Sequence, residues 1–537
     1  MDELFNSNRA PSPQEWASTQ SLLELCDQEL TPVDSQIADL QKQLDKLISR
    51  RSVLQTNRRK YLDTLSARRR LPPEIIASFI QLAVAPPYDD DLPQQRWQAK
   101  RGSESTLPFM LVSREWYGTV CGFAHFWTEL KLDVASASGG EIQHLIEMAS
   151  KRVERASELA LSLTISLSTS NEWNDKVVEF AHSISSRVGA FGISVEANPD
   201  PDSNTYPNPN PNPNMAAGLL ARLLLNPLSP TQRTLEWPKL HTVDINMRSR
   251  SPANINLRRL GYVFSAPEKF PAMRGLAIAA PQCDFSVLSM PWSGLSTLSL
   301  GPFHTYKFGD YTSILKQCTG ELRVLNLCMC GTPERSEQIL LTLAPIIHLV
   351  HVTHLQLEYT PMNEWFSFAL LWYLYLPSLQ SLTCTAVDGS RRSKTEISQL
   401  AEILQKSGCQ ESLRYLELNN FDLSLEADTT VDLRSVFVET PRLSRLKITG
   451  HKLHPGLWSI IPESVQDLTV QLWLPAIGDL RPSFDEFVRS RSLSAVPSST
   501  PMKARLDIAD GRDVASFRKK IDALQAQFGS LLNVVID

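Results

Sequence analysis

A short apolar pattern, L-x-x-L-x-L with any apolar residue standing in for Leu, returns nine times between Leu240 and Val470. No other feature constrains the fold as much. The copies are Leu240/Val243/Ile245, Met273/Leu276/Ile278, Leu295/Leu298/Leu300, Leu322/Leu325/Leu327 and Val352/Leu355/Leu357. They continue with Leu379/Leu382/Cys384, Leu413/Leu416/Leu418, Leu443/Leu446/Ile448 and Val465/Leu468/Val470, their starts 33, 22, 27, 30, 27, 34, 30 and 22 residues apart. Alternate residues of a strand share one face. The residues between the apolar ones should therefore point the other way, and the pattern does not select them. Most are polar: Thr242, Asp244, Asn246; Thr297, Ser299; His354, Gln356, Glu358; Ser381, Thr383, Thr385; Tyr415, Glu417, Asn419; Arg445, Lys447, Thr449; Asp467, Thr469, Gln471. Only the second and fourth copies depart, with Ala277, Ala279, Val324 and Cys328. One short strand with one apolar face cannot bury it alone. Stacked units can, as a solenoid with a parallel sheet and helices outside.

These periods are in or near the range of leucine-rich repeats. Two weaker copies precede the nine, at Ala156/Leu159/Leu161 and Val188/Phe191/Ile193. The second lies 52 residues before Leu240, and the gap holds "NPDPDSNTYPNPNPNPN", Asn198–Asn214. Alternating Asn and Pro cannot build a core, so this tract reads as a disordered loop inserted in one repeat. Helical segments precede several strands: "EIQHLIEMAS", "DKVVEFAHSI", "AAGLLARLLL" and "EISQLAEILQKSG". The solenoid is predicted over 133–480. A loop and capping segment follows over 481–537, with a strand-like "ARLDIAD", a helix near Val514–Phe528 and "LLNVVID".

The other end of the chain has a different period. From Leu30 the apolar residues step by three and four through Val33, Ile37, Leu40, Leu44, Leu47, Leu54, Tyr61 and Leu65, with Arg51 and Arg58 at core-type positions. Thr31 can cap and Pro32 can take the first helical position. The spacing predicts a long amphipathic, coiled-coil-like helix within 31–67, roughly 50 Å long, after a flexible segment 1–30. Its stripe must be buried, either in a homodimer through 32–66 or by folding back on the chain. Segment 42–70 carries ten Lys and Arg against Asp45 and Asp63. Its one aromatic, Tyr61, does not make the interleaved pattern that base stacking needs, and the whole chain is formally -5. The basic run reads as a solvated helix face, with a nuclear-import or nucleic-acid patch, and so a nuclear factor using this helix, as the alternative.

Between these regions lies "RRRLPPEIIASFIQLAV", Arg68–Val84. Pro72 and Pro73 suit a helix start and Glu74 its positive end. Ile75, Ile76, Phe79 and Leu82 follow at helical spacing. A second apolar block, "LPFMLVSREWYGTVCGFAHFWTELKL", follows a polar insertion; there Ser113 can cap a helix carrying Trp116, Tyr117 and Val120. So small a helical module cannot turn every large side chain inward.

The succession "LPPEIIASFI", "LVSREWYGTV", "FWTELKL" resembles the F-box, in particular that of fungal F-box proteins with a coiled-coil-like helix before the motif. The resemblance covers 68–132 and departs from the family in its longer insertion, 85–106. It implies binding to the Skp-type adaptor of a cullin–RING ubiquitin ligase. By position the adaptor-binding residues would be Leu71, Pro72, Ile75, Ile76, Phe79, Leu111, Val112, Arg114 and Trp116, with Trp127 packing where the motif joins the next domain. The fold class is then α/β: a long N-terminal helix, a short all-helical F-box module and a leucine-rich-repeat solenoid. The role implied is a non-catalytic substrate receptor of an SCF-type ligase, the repeats holding an unknown protein target. His354, Glu358, Tyr415, Glu417, Arg445 and Lys447 are the expected target-facing residues. The alternative is a non-ligase scaffold dimerising through the N-terminal helix.

The chain has no P-loop, dinucleotide glycine pattern, HExxH or GxSxG. His348, His351 and His354 do not converge if His348 ends a helix and His354 sits on a strand, and Cys328-x-Cys330 lacks a second pair, so no metal or cofactor is expected. Eight scattered cysteines and a polar start, "MDELFNSNRAPSPQEW", fit a reduced protein of the cytoplasm or nucleus. The longest apolar runs, "WFSFALLWYLYL" and "ILLTLAPIIHLV", are too short to span a bilayer and read as core.

Overall fold

The computed structural model describes residues 9–65, 71–84, 106–135, 137, 139–168, 174–196, 222–224, 237–248, 270–279, 292–301, 305–306, 308–329, 332–333, 346–359, 370–386, 395–420, 427–450, 460–472, 502–508 and 532–533. Arg68–Arg70, the insertion up to residue 105, the Asn/Pro tract, most of "AAGLLARLLL" and the helix expected near Val514–Phe528 lie outside them. The chain divides into two compact units, residues 1–82 with 110–119 and residues 83–109 with 120–537. In the second unit "ELKL", the last piece of the F-box-like motif, is a strand of the repeat sheet.

In the first unit, helix α1 spans Pro13–Thr64. It starts nineteen residues before the predicted Thr31–Pro32 boundary, so much of the expected flexible segment is helical. The reason is a capping box. The Glu15 N–H donates to Ser12 Oγ (3.4 Å), while the Ser12 N–H donates to the Glu15 carboxylate (2.8 Å). Pro13 takes the first helical position, where its missing N–H costs nothing. Arg9 adds a two-pronged hydrogen bond to Glu15 at 2.6 and 3.1 Å; this bond and then the Ser12 contacts hold that carboxyl down at about 2. The same Thr-Pro signature at Thr31–Pro32 is passed over. Pro32 lies inside the helix and Thr31 Oγ1 donates to the Asp27 carbonyl at 2.8 Å.

Helix α2, Pro73–Val84, begins at the expected prolines; the Pro72 carbonyl accepts from the N–H groups of Ile75 and Ile76. A single turn, α3 (Leu107–Met110), precedes α4 (Arg114–Gly122). Ser113 caps α4 as expected: the Trp116 N–H donates to its Oγ at 3.2 Å.

The second unit is built on one parallel sheet, fourteen strands among the described residues, each beside its predecessor in chain order. They are β1 (Glu129–Asp133), β2 (Leu161–Ser168), β3 (Val188–Glu196), β4 (Thr242–Arg248), β5 (Gly275–Ala279), β6 (Thr297–Leu300), β7 (Val324–Met329) and β8 (His354–Tyr359). Then come β9 (Ser381–Ala386), β10 (Tyr415–Asn419), β11 (Arg445–Gly450), β12 (Asp467–Leu472), β13 (Met502–Ile508) and β14 (Leu532–Asn533). The register holds the repeat in line. Val243, Leu276, Leu298, Leu325, Leu355, Leu382, Leu416, Leu446 and Leu468 pair in succession across eight strand boundaries. All 27 apolar positions of the nine copies are at most 3% exposed. A fully buried side chain of this size contributes about 1.5–3 kcal/mol, so this ladder is the core.

The ladder extends past both predicted ends. At the start, Leu130 and Leu132 pair with Leu163 and Ile165, making "ELKL" its first rung. The weak copy at Ala156/Leu159/Leu161 is out of register. Leu163 and Ile165 align with Phe191 and Ile193, while Leu161 pairs with Val188 across a register shift. Beyond 480, β13 pairs with β12 and β14 with β13.

Outside the sheet, helices precede some strands: α5 (Gly139–Arg155), α6 (Asn174–Ser183), α7 (Phe308–Gln317), α8 (Thr395–Ser407) and α9 (Ala427–Val438). Among the described residues, 3-10 turns precede β6 and β9, at Trp292–Gly294 and Leu371–Tyr373. His348 does not end a helix. Ile347–His348 is a short strand paired with Leu374–Tyr375, and the His348 and Tyr375 rings stand 5.2 Å apart. Of the two apolar runs, Leu370, Leu371, Leu374 and Leu376 are buried, but Ile346 and Val350 are exposed.

Candidate functional site

Helix α2 has two apolar faces. Ile76, Ala77 and Ile80 are buried, both isoleucines completely. Ile75, Phe79 and Leu82 are spaced i, i+4, i+7, which places them on one stripe across the helix axis from the buried residues. They are 48%, 63% and 75% exposed. The turn before α4 adds Leu111, 87% exposed, and Val112; α4 adds exposed Tyr117. Each belongs to the first unit. Six large apolar side chains left open on so small a helical module is the pattern of a surface that a partner covers.

The nine residues carried over from the F-box resemblance divide by exposure. Pro72, Ile75, Phe79, Leu111, Val112 and Arg114 are exposed, and Leu71 and Trp116 are half-buried. Ile76 is the correction: it has no exposed surface and belongs to the inner face, 100° around the helix from Ile75. Leu82 and Tyr117 are the surface residues that spacing alone left unassigned. Trp127 sits between α4 and α5. It is buried, its indole N–H donates to the Val120 carbonyl at 2.8 Å, and the Arg155 guanidinium of α5 lies 4.5 Å above its ring.

The second candidate lies on the outward side of the sheet, where a groove of ≈ 400 Å³ runs from β4 to β11. Its walls mix the charged Asp244, Glu358, Glu417 and Lys447 and short polar side chains with the apolar Ala277 and Ala279. Gly301 also lines it, with φ +107° and its Cα facing the Cys328 carbonyl so closely that no Cβ fits. Burial pushes the Asp244 carboxyl up to about 6 and lowers the His354 imidazole.

The expected target-facing residues behave differently from a freely solvated row. Glu417 is only 2% exposed. It accepts from Tyr415 Oη at 3.0 Å and Thr383 Oγ1 at 3.1 Å, and pairs with Lys447 Nζ at 2.8 Å. A carboxylate brought this far from water needs such partners, so Thr383, Tyr415, Glu417 and Lys447 form one internal network across three strands. Glu358 accepts from Gln356 Nε2 at 2.8 Å, and His354 Nδ1 lies 2.8 Å from Thr353 Oγ1. Arg445 is exposed. The polar row therefore ties neighbouring repeats together. Thr449 Oγ1 to Asn419 Oδ1 (2.7 Å) and Asn419 Nδ2 to Thr385 Oγ1 (3.2 Å) continue it.

Among the described residues no group of three or more His, Cys, Asp or Glu is placed to hold a metal ion, and no helix is long and apolar enough to cross a membrane. The six described cysteines are unbridged. No protein-family model matches this sequence. A search of curated proteins likewise finds no match.

Proposed function

We propose that this chain is the substrate receptor of an SCF-type cullin–RING ubiquitin ligase, docking a Skp-type adaptor through α2 and α4 and holding a protein target on the repeats. The observation that carries this reading is the bare stripe of α2. Ile75, Phe79 and Leu82 stay open although the opposite face of the same helix is filled. Exposed Leu111 and Val112 supply further apolar surface in the positions where the F-box resemblance puts adaptor contacts. The groove supplies hydrogen-bonding groups and apolar surface in comparable measure, which suits a target segment of mixed character. The reading assigns this chain no bond-making step; ubiquitin transfer would belong to other subunits.

The test is co-purification of the full chain with a Skp-type adaptor. Wild type retains the adaptor. Phe79→Glu and Leu111→Glu lose it, because each places a charge in a desolvated contact while leaving this chain's own core untouched. Retention by both variants, or no adaptor with wild type, overturns the proposal.

A further inference from the structure

The apolar stripe of α1 is wholly uncovered. Every described side chain from Gln20 to Thr56 is exposed, including Leu30, Ile37, Leu40, Leu44 and Leu47. Because the helix begins at Pro13, the three–four stepping also runs further back than Leu30. Trp16, Leu23, Leu30, Ile37, Leu44, Arg51 and Arg58 recur every seven residues, as do Thr19, Cys26, Val33, Leu40, Leu47, Leu54 and Tyr61 between them. Seven heptads with one continuous seam call for a second helix of similar length. At 1.5 Å per residue α1 spans about 78 Å; among the other described helices the longest has 17 residues.

Charge selects the occupant. Residues 13–38 carry five carboxylates and no Lys or Arg, whereas residues 39–64 carry seven Lys and Arg against three carboxylates. A parallel copy would lay acid on acid and base on base, and would stack Arg51 on Arg51 and Arg58 on Arg58 in the seam. It would also face Glu29 with Asp34. An antiparallel copy overlapping the full length of α1 does the reverse. Its two-fold axis falls between Ala38 and Asp39, and every seam layer then mates. Trp16 meets Tyr61, Leu23 meets Leu54, Leu30 meets Leu47, Ile37 meets Leu40 and Val33 meets Leu44. Arg51 and Arg58 fall opposite Cys26 and Thr19, in the acidic half of the second copy. Glu29 flanks the seam opposite Arg50.

We infer that α1 is an antiparallel two-stranded coiled coil with a second copy of this chain, in the register that sets Arg51 opposite Cys26. The contact is isologous, so it closes as a dimer. It does not depend on adaptor binding, and the docking variants above leave it intact.

Sedimentation of the full chain at micromolar concentration is expected to give twice the chain mass, and Leu40→Glu/Leu47→Glu to give the monomer. Orientation is read by thiol cross-linking in a glutathione redox buffer. The antiparallel register predicts no Cys26-dependent cross-link in wild type, a cross-linked dimer in Arg51→Cys, and its loss in Cys26→Ser/Arg51→Cys. Charge reversal supplies a second readout that needs no thiol: Glu29→Lys weakens the dimer and Glu29→Lys/Arg50→Glu restores it. Four outcomes overturn the inference. These are a monomer at all concentrations, a Cys26–Cys26 link in wild type, an Arg51→Cys link that survives Cys26→Ser, or a dimeric Arg51→Cys variant with no link.

Discussion

The long helix and the repeat sheet are built from the same few apolar side chains, yet they use them in opposite ways. In the sheet, 27 repeat positions are at most 3% exposed; along α1, leucines from Leu22 to Leu62 are about half exposed. What differs is whether the chain supplies its own neighbour. Each strand finds the next copy of its pattern some 22–34 residues later, in the same register. A seven-residue seam over fifty residues finds no match elsewhere in the sequence. Apolar content therefore does not decide burial; the presence of a second segment with the same period does.

The largest expected effect comes from breaking the buried side of this comparison. Leu416 is fully buried between Leu382 and Leu446 in the ladder. Leu416→Ala should lower stability by about 2–5 kcal/mol in urea titration, the usual cost of such a cavity. Next is the groove side of the same sheet. Asp244 ionises near 3.8 when unfolded and near 6 when folded. The native state thus binds the extra proton between these values, and stability falls as pH rises from about 4 to about 6. Asp244→Asn, neutral throughout, should remove this slope and gain about 1–3 kcal/mol over wild type at pH 8, with little difference at pH 4. The smallest effect belongs to the uncovered side. Leu47→Ala at concentrations where the chain is monomeric should change unfolding free energy by no more than about 0.5 kcal/mol, as for other surface substitutions. A loss as large as that of Leu416→Ala would mean that α1 is covered by its own chain.

How much of this was legible in the sequence follows from the same contrast. The nine strong repeats could be placed to the residue, because a parallel stack keeps equivalent positions in one line. The first weak copy was misplaced because Ala156, Leu159 and Leu161 satisfy the pattern by chance, and the register shift beside Leu161 is visible only through its pairing with Val188. The start of α1 was misjudged because Thr31–Pro32 and Ser12–Pro13 are both acceptable helix starts locally. The reciprocal bonds of Ser12 and Glu15 decide between them, and the S-x-x-E spacing was the available signal. Glu417 was expected at the surface because strand alternation tells inward from outward but not exposed from sheltered. Its burial depends on Thr383 and Lys447, one repeat away on either side.

The equal register has a consequence for how such a surface can change. Spacers of very different length separate the rungs, yet no step among the nine strong repeats slips. The strands behave as teeth of a comb pitched about 4.8 Å apart, whatever material hangs between them. A gain or loss of residues in a spacer leaves the comb unaltered, whereas one residue added within a tooth would turn its whole row inside out. Recognition chemistry on the outward row can thus be rewritten tooth by tooth, by substitution alone.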